Sequence, residues 1–182
     1  KYGSEKKGLP TTYFLTVADQ HIRAHSELKY VDFVPLNSVS AFHLGNPLDG
    51  LSVGGTIFLQ QQSKDPAQVW ASIPHDAQDI IRQTRIRVLA LDAVKIAEEV
   101  SSRPELVQRM QGIVLLGVFL RVAPFIQQRR LSEEELFASV EKSLRKFFGK
   151  HGEQVVQDNL TAVRRGYREV LEVPRQVIVP AA

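Results

Sequence analysis

The chain contains no cysteine. That excludes a disulfide framework, a thiolate zinc site and a cysteine-held iron–sulfur cluster within these residues. It also fits a reducing, cytoplasmic setting. An excess of one charge is missing too: 23 basic residues face 20 acidic ones, a formal net charge of +3. The densest basic sites are pairs, Lys6-Lys7, Arg129-Arg130 and Arg164-Arg165. A nucleic-acid binder concentrates its cations on one face, so no nucleic-acid partner is expected. Long apolar runs are lacking as well. The longest, Ile113 to Leu120, is closed by Arg121 and falls far short of the roughly 20 residues of a membrane-spanning helix. No secretory signal is present, and no membrane is expected. Methionine occurs once, at Met110, and the first residue is Lys1. Translation begins at methionine, so the chain reads as processed, truncated or excised.

What is present is an ordinary globular composition, 43% hydrophobic and 24% charged, on a length that fits one domain. Strand-like runs come first. Tyr13 to Val17 is continuous and β-favouring, as in a strand covered on both faces. A short polar helix is expected through His21 to Leu28. Tyr30 to Val34 is a second strand, stopped by Pro35. Asn37 to Leu51 reads as one or two helical turns. Gly54-Gly55 reads as a turn before a third strand, Thr56 to Leu59. Asp65-Pro66 opens a helix with an N-cap carboxylate and proline at the first position. Pro74 breaks it before a second helix through Ile80 and Ile81. Arg85 to Leu91 is the fourth strand, and Asp92 caps a helix through Val100.

Beyond Val100 the pattern is helical. Pro104 opens a long apolar helix with Pro124 near its end, and Ser132 with Glu135 forms a capping box. The helix after it lines up Leu136, Phe137, Val140, Leu144, Phe147 and Phe148, and a last one lines up Val155, Val156, Leu160, Val163, Tyr167 and Val170. Residues 173–182 read as a linker or tail, or as a strand that pairs elsewhere. Strands alternating with helices, then helices alone, predict an α/β fold: a mainly parallel sheet covered by helices, with a helical C-terminal half.

Few residues suggest chemistry. His21 and His25 would share a helix face, but no glutamate follows His21 and no third ligand is spaced for a metal. Glu133, Glu134 and Glu135 suit the first turn of a helix, where carboxylates complement the dipole. Asp92 is an N-cap, Asp49 lies in a turn region, and Asp32 stands oddly within a strand. Gly54-Gly55 precedes a strand, whereas a dinucleotide loop follows one. No phosphate-loop or nucleophile-elbow pattern occurs. Trp70, Phe137, Phe147 and Phe148 are expected in the core. Lys6 and Lys7 are the exception. They lie with Gly8 and Pro10 in a loop ahead of a buried strand, where cations can meet phosphates or a partner's carboxylates.

The ordered set of segments resembles the γ domain of the pyruvate/2-oxoacid:ferredoxin (flavodoxin) oxidoreductases. It begins at Tyr2-Gly3-Ser4-Glu5-Lys6-Lys7-Gly8. It runs through Ala41-Phe42-His43-Leu44-Gly45-Asn46-Pro47, Arg87 to Ala93 and Met110 to Gly117, and reaches Arg164-Arg165-Gly166-Tyr167. The family's asparagine in the Met110–Gly117 helix is absent. So is the glycine-rich βα unit that precedes this region in the family; without it the sheet would have a gap, filled by another chain or removed by rearrangement or dimerisation. The resemblance implies a Rossmann-like three-layer sandwich over residues 1–172. It further implies an accessory, non-catalytic domain of an enzyme that converts a 2-oxoacid to an acyl-coenzyme A. Thiamine diphosphate, Mg2+ and 4Fe–4S clusters lie on that enzyme's other domains or subunits, and ferredoxin or flavodoxin accepts its electrons. Lys6 and Lys7 would contact coenzyme A phosphates. A homo-oligomer is compatible with this reading. The rival readings are a non-enzymatic helical interaction module, which needs an exposed apolar stripe on the last two helices, and a free-standing nucleotide binder.

Overall fold

Four consecutive residues, Val88-Leu89-Ala90-Leu91, are all buried, which marks a strand enclosed by helical layers on both faces. A computed structural model describes residues 12–23 and 26–179 of the protein, and among them that strand is the third of four. In chain order the elements are β1 (Val31–Leu36), α1 (Ala41–Leu44), β2 (Leu51–Gln60), α2 (Pro66–Ala71), α3 (His75–Thr84), β3 (Arg87–Leu91) and α4 (Ala93–Val100). They continue with α5 (Val107–Val122), α6 (Phe125–Gln128), α7 (Glu133–Phe148), α8 (Glu153–Glu169), β4 (Leu171–Glu172) and α9 (Arg175–Ile178).

The strands lie in the order β1-β2-β3-β4. The first two pairings are parallel, with Val34 opposite Ile57 and Phe58 opposite Leu89, and β4 joins β3 antiparallel through Ala90 and Leu171. Side chains of successive strand residues point to opposite faces. Ile57, Leu59, Val88 and Ala90 accordingly join Val69, Trp70 and Ile81 from α2 and α3 in one apolar cluster. Phe58, Leu89 and Leu91 join Ile96, Met110, Val114 and Val118 from α4 and α5 in a second. The result is the expected three-layer α/β arrangement. A third cluster, away from the sheet, holds Leu136 and Phe137 of α7 against Leu160, Val163 and Tyr167 of α8.

The helix signals in the sequence are realised atom by atom. The Asp65 carboxylate accepts from the Ala67 amide at 2.9 Å with Pro66 at the first position. Ser132 and Glu135 make both halves of their capping box, at 3.2 and 2.8 Å. These bonds satisfy amides that a helix start otherwise leaves unpaired, each contributing about 1 kcal/mol.

Several expectations are corrected. Tyr13 to Val17 forms no strand, and Tyr13 and Leu15 are 84% and 62% exposed. A strand requires a hydrogen-bonding neighbour, and no described strand pairs with this segment. Nor is there a helix over residues 21–23 or 26–28. Pro35 does not stop β1. It sits within the strand opposite Phe58, which proline tolerates because β1 is the edge of the described sheet. Gly54-Gly55 is no turn either. Between the pairs Val31–Leu51 and Phe33–Thr56 the register shifts, and Gly54, with φ of 76°, absorbs the extra residues in a bulge within β2. The strand expected from Arg85, β3, starts at Arg87 because Arg85 takes the left-handed conformation that ends α3, freeing the Ile86 amide to bond the Ile81 carbonyl at 3.1 Å. Residues 173–179 turn back onto the domain. The Val173 amide bonds the Val88 carbonyl at 2.9 Å, and Ile178 of α9 is buried in the Trp70 cluster. Phe147 is 71% exposed, at the solvent side of α7.

Two contacts hold the helical half together. Where α5 crosses α8, Gly117 lies against Gly166. A methyl group at Gly117 would stand 2.8 Å from the Tyr167 nitrogen and overlap the Val163 carbonyl oxygen; one at Gly166 would overlap the Val114 carbonyl. Backbone atoms cannot move aside as a side chain can. The second contact is Asp158 of α8, 7% exposed. It accepts from the Ser102 amide at 3.0 Å, from the Ser102 hydroxyl and from Gln154 Nε2 at 2.7 Å, tying the α4–α5 connection to α8. Burial pushes the Asp158 carboxyl up, but the Ser102 hydroxyl, Gln154 and the Ser102 amide together hold it below its usual value.

Gly117→Ala or Gly166→Ala should therefore cost about 3 kcal/mol or more in urea denaturation. Gly112→Ala, in the same helix with open space around it, should stabilise by about 0.5–1 kcal/mol. Asp158→Asn should cost about 1–2 kcal/mol at neutral pH. The Asp158 contribution is complete above the ordinary carboxylate value and disappears as pH falls through the lower folded value. The stability gap between variant and wild type, followed by denaturant titration at a series of acidic pH values, should close accordingly.

Candidate functional site

Ligands of parallel sheets gather outside the carboxyl ends of the strands, where successive crossovers leave on opposite faces. Here that change happens at β3. The connection from β2 runs through α2 and α3 on one face; the connection to β4 runs through α4, α5 and α8 on the other. A crevice of about 370 Å³ opens at this place. Gln61, Ser63 and Lys64 of the β2–α2 loop line it, with Leu91 and Asp92 at the end of β3 and Glu169 and Val170 at the end of α8.

Its polar groups are largely spoken for. Asp92 Oδ1 accepts from the Lys95 amide at 3.1 Å and from Gln60 Nε2 at 2.9 Å, while Gln60 Oε1 accepts from the Ala93 amide at 2.8 Å. The first amides of α4, which in nucleotide binders face a phosphate, are thus occupied by the protein's own side chains. Glu169 receives Arg165 Nε at 2.6 Å, and Arg165 also reaches Glu99 at 2.8 Å. The Arg165 hydrogen bond holds the Glu169 carboxyl below the usual range. Burial opposes it, and the charges of Arg165 and Lys64 assist. Glu169 is therefore a poor proton acceptor at neutral pH.

A second crevice, about 340 Å³, lies beside β4. Arg87 and Glu172 face each other across it in a bidentate pair, at 2.9 and 2.8 Å. Arg121, from the last turn of α5, lies with its guanidinium 5.3 Å from the centre of the Tyr167 ring.

The structure separates the residues that the sequence singled out. Lys6, Lys7 and His25 lie outside the described residues, and His21 is exposed. Asp32 lies on the edge strand and accepts from the Ser52 hydroxyl at 3.1 Å. Asp49 is exposed in the turn before β2. Asp92, Glu133 and Glu135 serve structure: an N-cap, an ion pair with Arg168 and a capping box. The described residues contain no group of three or more His, Cys, Asp or Glu able to hold a metal. With no cysteine in the chain, it offers no thiolate to an iron–sulfur cluster. None of the described helices is long and apolar enough to cross a membrane. Sequence reasoning missed Gln60, Lys64, Arg121 and the Arg165–Glu99–Glu169 group. Gln60 alone had a usable signal: it ends a strand parallel to the one that Asp92 follows.

Residues 1–169 match the family model described as pyruvate ferredoxin/flavodoxin oxidoreductase. The pyruvate-flavodoxin oxidoreductase of Trichormus variabilis is 30% identical over 89% of this chain and 13% of its own length. Pyruvate synthase subunit PorC of Thermotoga maritima is 27% identical over 93% of this chain and 76% of that subunit. The crystal structure of pyruvate oxidoreductase subunit PORC from the same organism superposes with a TM-score of 0.52, covering 81% of this chain and 67% of that one at 19% identity, a likeness of fold. The chain spans a small part of the large relatives and most of the PorC subunit. A match extending from Lys1 to the last residue of α8 establishes that this chain belongs to the pyruvate ferredoxin/flavodoxin oxidoreductase family.

Proposed function

We propose that the chain is the γ-type accessory domain of a thiamine diphosphate-dependent 2-oxoacid:ferredoxin or flavodoxin oxidoreductase, cytoplasmic and itself non-catalytic. Residues 1–172 form the γ-type unit, with the following segment its tail. The observation that carries this reading is the correspondence to most of PorC, a relative in which the matching region is a separate subunit of a pyruvate synthase. In the large relatives the same region occupies 13–14% of one polypeptide. A unit that is a subunit in one relative and a segment in another works by packing against catalytic partners.

The surface supports assembly. Tyr13, Leu15, Val17, Tyr30 and Val53 are all exposed, and among the described residues β1 has no strand on its outer side. Exposed apolar residues and an edge strand suit a partner that completes the sheet or covers it. The other domains or subunits of the enzyme are the partners we assign there. They would also carry the thiamine diphosphate, Mg2+ and clusters, for which the described residues offer no ligands. Ferredoxin or flavodoxin would receive electrons from those partners. A homo-oligomer of the whole enzyme is compatible with this arrangement. Lys6 and Lys7 remain the assigned contacts to coenzyme A phosphates, on charge and loop position. The helical-module reading is not favoured: the apolar faces of α7 and α8 are turned into the third core cluster, leaving Phe147 outside.

Co-expression with the polypeptides that carry the thiamine and cluster domains should give a stable complex that reduces methyl viologen with pyruvate and coenzyme A. Failure of the wild-type chain to co-purify would overturn the assignment. Leu15→Asp should weaken that complex at least tenfold without unfolding the domain. In the assembled enzyme, Lys6→Glu with Lys7→Glu should raise KM for coenzyme A several-fold at nearly constant kcat. An unchanged KM removes the coenzyme role from these lysines.

A further inference from the structure

Arg121 is set apart from the ion-paired arginines of this surface, and it has its place in a crevice. Arg82, Arg87, Arg129, Arg145, Arg165 and Arg168 each meet a carboxylate. Arg121 makes no ion pair among the described residues, yet it lines a crevice. Its guanidinium carbon lies over Tyr167, 5.3 Å from the ring centre, and that ring is itself buried and packed edge-on against Phe137 at 5.5 Å. A cation held over a fixed ring is restrained before anything binds. With no carboxylate paired to it among the described residues, the guanidinium has N–H donors for a planar acceptor.

The charge around it selects the ligand. Arg87 is neutralised by Glu172, whose carboxyl is held below its usual value by the Arg87 hydrogen bond, against burial, with the charges of Arg87 and Arg121 contributing. One uncompensated positive charge remains. Arg121 also lies in the last turn of α5, where the helix end carries partial negative charge. A phosphate, carrying about −1.5 to −2, would meet Glu172 and that helix end with too little positive charge to balance it. A single carboxylate matches the site: one charge, with two coplanar oxygens for a bidentate bond. Val122, Pro124 and Ile126 add apolar wall, and Gln127 a side-chain amide. Arg121 is exposed, so a small free acid would stay half-hydrated, whereas a peptide can cover the apolar wall with its neighbouring residues.

We infer that the crevice between the end of α5 and β4 is a docking site for a protein segment that presents one glutamate or aspartate to Arg121, flanked by apolar residues. The inference is independent of the reaction proposed above. Glu172 acts as the resident competitor, so the site is weak until a segment of this kind approaches.

The test is a 15N NMR titration of the chain with an acetylated pentapeptide that carries a central glutamate between alanines and leucines. The same peptide with glutamine and sodium acetate are run beside it. The glutamate peptide should shift the Arg121 Nε–H and the Gln127 side-chain amide, and the glutamine peptide should bind at least tenfold more weakly. Arg121→Gln should lose binding at least tenfold with an otherwise unchanged spectrum, while Arg121→Lys retains part of it. Glu172→Gln should tighten binding severalfold, which a merely structural Arg121 would not produce. Equal binding of the two peptides, no shift with either, or binding untouched by Arg121→Gln overturns the proposal. Acetate binding as tightly as the glutamate peptide overturns the choice of a protein segment.

Discussion

The helical half of this protein depends on a place where side chains are missing. α5 and α8 approach through Gly117 and Gly166, backbone against backbone, and the rest of that half is arranged around the crossing. Met110, Val114 and Val118 reach the sheet from one side of α5. Leu160, Val163 and Tyr167 on α8 receive α7 from the other. A β-carbon at either glycine would push the helices apart and open both clusters together, because packed interiors have few voids to take up a displacement. The same crossing sets where α8 ends, hence where β4 meets β3 and where both crevices form.

That arrangement also leaves much of the polar chemistry near the crevices paired within the protein. The carboxyl ends of β2 and β3 are the place where α/β proteins usually bind ligands, but here Gln60 and Asp92 bond each other and the first amides of α4. Acidic groups near the crevices are held in their charged form by arginines: Glu169 by Arg165, Glu172 by Arg87. Such pairs fix geometry and charge sign, and at half-exposed sites each stabilises by only about 1 kcal/mol or less. Their value is positional. Arg87 and Glu172 join β3 to the short β4, and Arg165 joins α8 to α4 through Glu99.

Local chemistry was legible to the residue. Asp65-Pro66, Asp92 and Ser132-Glu135 each specify a helix start, because the bonds involved span three residues or fewer and need no distant partner. The β-favouring runs Thr56–Leu59 and Arg85–Leu91 announced strands, and burial on both faces emerged only from the packing of helices on each side. Gly54-Gly55 misled because a bulge and a turn make the same demand on the backbone, a residue with positive φ; the register of β1 decides between them. Tyr13 to Val17 misled for a related reason. Its side chains favour a strand, but strand formation depends on a neighbour, and propensity carries no information about whether one is there.

The sequence by itself determined the capped helix starts, the alternation of strands and helices from β2 to α4, the absence of thiolate chemistry and, through an ordered set of short segments, the family. Those properties rest on short-range bonds, on composition, or on patterns that survive without coordinates. Only the tertiary structure decided that residues 173–179 return to the core, that Gln60 and Asp92 meet, and that Arg121 lies over Tyr167 with no carboxylate paired to it among the described residues. Each of these joins residues far apart in the chain. Which of many charged and aromatic residues become neighbours is settled by how the sheet and helices pack, since nothing local distinguishes a paired arginine from an unpaired one.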